Sequence, residues 1–125
     1  MIGKFELAQR LAGDLAVLFP KAGLDWQRVA AATAVLRRLC VVSGGPGTGK
    51  TFTVVRILAL LLGQHPSARI ALAAPTGKAA ARLQEAVRQA AEHVPLDASA
   101  REAVLRDAAT VHRLLGSRPD GVTFR

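Results

Sequence analysis

Leu7, Leu11, Leu15 and Leu18 recur at helical spacing and run into Phe19-Pro20, so residues 6–19 predict an amphipathic helix closed by proline. Lys21-Ala22-Gly23-Leu24 is a short joint, and Asp25 then stands as an N-cap before a second helix from Trp26 to about Arg38. Val29, Ala32 and Leu36 can face a core from that helix. The pattern changes at Leu39-Cys40-Val41-Val42-Ser43, a short apolar run that predicts a first buried strand. A long helix ending at Leu62 and stopped by Gly63 follows, and Arg69 to Ala74 predicts a second strand. Beyond it lie a helix over about Lys78 to Glu92, a loop from His93 to Ala98, a shorter helix from Ser99 to Asp107, and an element from Thr110 to Leu115. Gly116 to Gly121 is dense in turn formers, and Val122-Thr123-Phe124-Arg125 opens a strand. Strand, loop, helix and strand make a βαβ unit, which predicts an α/β fold with parallel strands covered by helices and a ligand at their carboxyl ends.

The loop inside that unit carries the most specific chemistry. Gly44-Gly45-Pro46-Gly47-Thr48-Gly49-Lys50-Thr51 is a complete G-x-x-x-x-G-K-[ST] sequence between an apolar run and a helix, the context in which this pattern holds phosphate. Glycines let the backbone curl until several N–H groups point at one anion, and the helix that follows adds the positive end of its dipole. By those mechanics Lys50 reaches the β- and γ-phosphates of ATP, and the Thr51 hydroxyl ligates the Mg²⁺ that bridges them.

Composition narrows the partners. Half of the 125 residues are hydrophobic, while the aromatics are only Phe5, Phe19, Trp26, Phe52 and Phe124, so the interior is expected to be Ala, Leu and Val. A formal charge of +8 and a pI near 11.3 favour polyanions, nucleic acid first, and the basic side chains are spread through the chain rather than gathered in a tail. Cys40, the single cysteine, reads as a small buried hydrophobe and excludes a disulfide framework. Glu6 and Asp14 within the first apolar segment, and Arg56 within Val54 to Leu62, argue against a signal peptide or a membrane span.

Three segments in order, Gly44 to Thr51, Ala74-Pro75-Thr76-Gly77-Lys78-Ala79-Ala80-Ala81-Arg82-Leu83 and Thr110-Val111-His112-Arg113-Leu114-Leu115-Gly116, resemble the RecD family, the alpha subunits of exodeoxyribonuclease V within the 5′-to-3′ branch of superfamily 1 DNA helicases. The resemblance runs from about Asp25 to Gly116 and includes Trp26-Gln27 upstream of the loop. It implies a RecA-like P-loop NTPase domain over residues 23–125, preceded at residues 1–22 by the end of an upstream helical region. It further implies that Gln27 reads the adenine edge, for which an amide offers a donor beside an acceptor. Trp26 is expected to pack under the site. Pro75, Thr76, Gly77 and Lys78 would touch single-stranded DNA, as a helix N-terminus with a cation can hold phosphate without reading sequence. Thr110 and His112 would form the next DNA-side motif, although taken alone Thr110 reads as an N-cap and His112 as a surface histidine. His65 and His93 receive no role.

The same resemblance implies ATP-driven unwinding of double-stranded DNA ends in recombinational repair, in a cytoplasmic complex with RecB and RecC. One departure stands out. The acidic pair with which such helicases hold Mg²⁺ and polarise water follows no apolar run here, so the chain is expected to be a piece of a larger protein, truncated before that strand and inactive in hydrolysis alone. Two rivals stay open: a stand-alone RecD-like helicase without partners, and a phosphate-loop module that uses ATP as a switch without moving DNA. Salt-sensitive binding to single-stranded DNA separates the second from a motor.

Overall fold

The computed structural model describes residues 3–45 and 49–116. Its helices are α1 (Lys4–Leu18), α2 (Trp26–Leu36), α3 (Lys50–Gln64), α4 (Gly77–Ala91), α5 (Ala98–Val104) and α6 (Val111–Leu115), with strands β1 (Ala73–Ala74) and β2 (Ala109–Thr110).

Helix α1 buries Leu11, Leu15 and Leu18 along one stripe, as its leucine spacing predicts, and closes where the Phe19 N–H donates to the Leu15 carbonyl at 2.9 Å ahead of Pro20. Asp25 does cap α2, its carboxylate accepting from the Gln27 N–H at 3.0 Å. The buried face of α2 differs from the expected one. Val29 and Leu36 are exposed, while Ala31 is fully buried and Ala32, as expected, packs with Val35 at the core's margin. In a helix this rich in alanine two stripes satisfy the helical period about equally, and the small side chain is the one that lets α2 lie close on α3. The helix also ends at Leu36, short of Arg38.

Helix α3 is the centre of the molecule. It buries Thr53, Val55, Ile57, Leu60 and Leu62, and α1, α2, α4 and α5 all pack on it. Gly63 does not stop it; it continues to Gln64 and closes with the His65 N–H on the Leu61 carbonyl at 2.8 Å. Among the described residues Phe19, Val55, Leu60, Val87 and Val104 are the largest apolar side chains withdrawn fully from water, each worth about 1.5–3 kcal/mol of transfer free energy.

The two strands pair in parallel, Ala73 opposite Ala109 and Ala74 opposite Thr110, with α4 and α6 packed against them. An α/β architecture with parallel pairing therefore stands, but its ladder is shorter than predicted. Of the run Arg69 to Ala74 only Ala73 and Ala74 are strand, extended by the Ala109 N–H donating to the Leu72 carbonyl at 3.0 Å. Residues 39–43 join no ladder among the described residues. Leu39 and Val41 are each 83% exposed, whereas Val42 and Cys40 are half-buried, so Cys40 is not the fully buried hydrophobe expected. An apolar run supplies the side chains of a strand, but its backbone groups become a strand only against a neighbour. The strand predicted at Val122 to Arg125 lies outside the described residues. Among those described, no helix is long and apolar enough to cross a membrane.

Candidate nucleotide site and DNA-side segments

Gly49 marks the turn into α3. Its φ of 76° and ψ of 24° place it in the left-handed region, where a side chain is strained, and it stands as the N-cap of the helix. The Thr53 N–H and hydroxyl both reach the Gly49 carbonyl at 3.0 Å, which anchors the bend to the first helical turn. Lys50, the first residue of α3, is exposed, and its Nζ donates to the carbonyl of Gly44 at the other end of the loop. Thr51 follows it half-buried, while Gly44 and Gly45 are exposed. Pro46, Gly47 and Thr48 lie outside the described residues.

Gln27 comes to this bend from a different helix. A Cβ placed on Gly49 would stand 2.8 Å from the Gln27 Nε2 and push the amide end aside, while the backbone angle is what calls for glycine. Gln27, Gly44 and Lys50 line one hollow of about 230 Å³, together with Trp26, Val42 and Thr53. Trp26 does not pack beneath the site: it is 73% exposed at the start of α2, on the rim of the hollow. Trp26 is the first residue of α2, and the burial usual for a lone tryptophan does not extend to it. A second hollow, about 500 Å³, opens on the other side of Lys50 and is lined by Thr51, Phe52, Gln89 and His93. There the rings of Phe52 and His93 meet edge to face at 5.9 Å, and His93 Nδ1 lies 3.0 Å from the Gln89 carbonyl.

The sequence did not single out Arg56 for a site. Half-buried in α3, it donates from Nη1 to the Gln27 Oε1 at 3.3 Å, and its guanidinium carbon lies 5.0 Å from the centre of the Phe19 ring. The available signal was its position inside an otherwise apolar stretch, because a buried cation needs partners.

Thr76 caps α4, its hydroxyl accepting from the Ala79 N–H at 3.2 Å, with Pro75, Gly77 and Lys78 exposed around it. Thr110 caps α6 in the same manner, accepting from the Arg113 N–H at 3.1 Å, and His112 is exposed on α6. Parallel pairing of Ala74 with Thr110 brings the two segments to the same end of the small sheet. Among the described residues no group of His, Cys, Asp or Glu could hold a metal ion.

The chain belongs to the AAA domain family, whose model matches residues 27–125. It is 55% identical over 112 residues to the RecBCD enzyme subunit RecD of Mycolicibacterium smegmatis, a match covering 86% of this chain and 20% of that protein. The RecBCD enzyme subunit RecD of Mycobacterium tuberculosis (strain CDC 1551 / Oshkosh) is 55% identical over 127 residues, covering 94% of this chain and 21% of that protein. An ATP-dependent RecD2 DNA helicase of Deinococcus radiodurans is 40% identical over 84 residues, covering 67% of this chain and 9% of that protein. The chain thus spans about a fifth of the length of the RecD subunits it matches.

Proposed function

We propose that these residues form the ATP-binding part of an ATP-dependent 5′-to-3′ DNA helicase subunit of the RecBCD type, acting in the cytoplasm with RecB and RecC on DNA ends. The observation that carries the nucleotide reading is the convergence of Gln27, Gly44 and Lys50 on one hollow beside the left-handed Gly49. In this reading the backbone of residues 44–49 cradles the phosphates, and Lys50 exchanges the Gly44 carbonyl for the β- and γ-phosphates. Gln27 pairs with the adenine edge. Thr51 suits Mg²⁺ because its hydroxyl is a hard oxygen donor beside Lys50, and a metal that arrives on the nucleotide needs few protein ligands. When bound, that ion neutralises charge on the phosphoryl group. The chain's own part is positioning and electrostatic stabilisation. Pro75, Thr76, Gly77 and Lys78, with Thr110 and His112, lie along the path of single-stranded DNA. Residues 1–22 end an upstream helical region, and residues 23–125 begin the first RecA-like domain.

The test is ATP binding by the full polypeptide and its K50A variant. Loss of binding on substitution supports the reading; a K50A protein that binds ATP like the parent refutes it. Similarity to the RecD2 helicase supports motor activity over a switch without translocation, and salt-dependent capture of single-stranded DNA separates the two.

A further inference from the structure

We propose that Trp26 binds the flat face of the nucleotide base, its indole stacking on the ring while the loop holds the phosphates. This rests on the nucleotide reading given above.

An indole is the largest apolar surface a side chain offers, and most of the Trp26 ring is left uncovered by the described residues. Exposure alone would not assign it a ligand. Leu39 and Val41 are exposed too, but they do not line the hollow shared by Gln27, Gly44 and Lys50, and Trp26 does. Trp26 and Ala30 stand one turn apart on the same side of α2 and both line that hollow, while Val42 lines it from the segment before the loop. Apolar side chains from two segments thus border the space that Lys50 also reaches. At about 230 Å³ the hollow is smaller than sites that take a drug-sized ligand, roughly 300–1,000 Å³, and suits one base rather than a whole nucleotide. Asp25 pins the first turn of α2 by accepting from the Gln27 N–H, so only two side-chain torsions of Trp26 remain to be fixed on binding. Stacking needs only a π face, which every base has, so the indole supplies affinity without choosing among purines. A base of single-stranded DNA would stack equally well. The segments assigned to DNA, residues 75–78 and 110–112, do not line this hollow, however, and the phosphate-side residues Gly44 and Lys50 do.

The experiment titrates the full polypeptide calorimetrically with ATP, GTP and inorganic triphosphate, beside a melting curve for each variant. W26A is expected to lower ATP and GTP affinity together by about tenfold, within the range of base–aromatic stacking, and to leave triphosphate affinity within about twofold of the parent. W26F keeps a π face and should stay within about threefold of the parent, whereas W26L keeps apolar bulk without that face and should fall close to W26A. Indole emission, taken as the difference between the parent and W26F, should change on adding ATP and not on adding triphosphate. A W26A protein with the parent's ATP affinity overturns the proposal, as does one that loses triphosphate in step with ATP. ATP affinity kept while single-stranded DNA affinity or the melting temperature falls also overturns it, because the indole then meets DNA or another part of the protein. If W26A does not fold, W26F and W26L decide, and equal ATP affinity in those two overturns it. Each of these results leaves the phosphate loop standing. A parent that binds neither ATP nor triphosphate removes the nucleotide reading, and this inference with it.

Discussion

The nucleotide side and the DNA side of this chain are built differently. Around Gly49, groups from α2, α3 and the end of α1 meet through long-range contacts: Gln27 on Gly49, Arg56 on Gln27, Phe19 under Arg56. At residues 75–78 and 110–112 each threonine hydroxyl is engaged within the first turn of its own helix, on Ala79 or on Arg113. In the first region the side chains meet across elements, whereas in the second the threonine side chains bond only locally and it is the backbone pairing of Ala74 with Thr110 that joins the two segments. A substitution on the first should therefore be felt at a distance, and one on the second should stay where it is made.

The largest expected effect comes from Lys50. K50A should weaken ATP binding about a hundredfold, the loss of a charge-assisted contact to phosphate, with the thermal midpoint unchanged because Lys50 is exposed; calorimetric titration beside a melting curve checks both. Next is G49A. At φ 76° an alanine is strained by about 1–2 kcal/mol, and its Cβ displaces the Gln27 amide, so ATP affinity should fall about tenfold while triphosphate affinity falls less. An equal loss for both ligands would mean that Gln27 and the loop are not coupled, and the contrast between the two regions would fail.

K78A probes the other side. It should weaken single-stranded DNA binding uniformly across sequences and reduce the salt slope by about 0.7, one phosphate contact, without changing ATP affinity. The smallest effect is expected for T110A. Removing its cap should cost about 1 kcal/mol of stability, read from urea unfolding, and leave ATP binding intact. Weakened ATP binding in T110A would show that the DNA side is not as local as its hydrogen bonds indicate.

What the sequence made legible follows the same division. The helix that opens after Gly49, the Asp25 cap and the leucine stripe of α1 are local patterns, and each sits where it was expected. Thr110 is likewise the N-cap that its residue type suggested when taken alone. Burial was harder to read. Trp26 is exposed although tryptophan is usually buried, and the alanines of α2 offered no contrast from which to choose a face. Strands were harder still, because Leu39 to Val42 and Arg69 to Leu72 are apolar enough for a ladder while their partners are set by topology. Arg56 was visible only as an interruption. Its meaning depended on Phe19 and Gln27 arriving beside it, and neither is its neighbour in sequence.

Because α1, α2, α4 and α5 all lean on α3, that helix behaves as an axle with its tip in the phosphate loop. In an interior packed to crystal-like density no single spoke can slip alone. A tilt imposed at Gly49 would therefore have to be accommodated by the one cluster that runs from the Leu11 stripe to Val104.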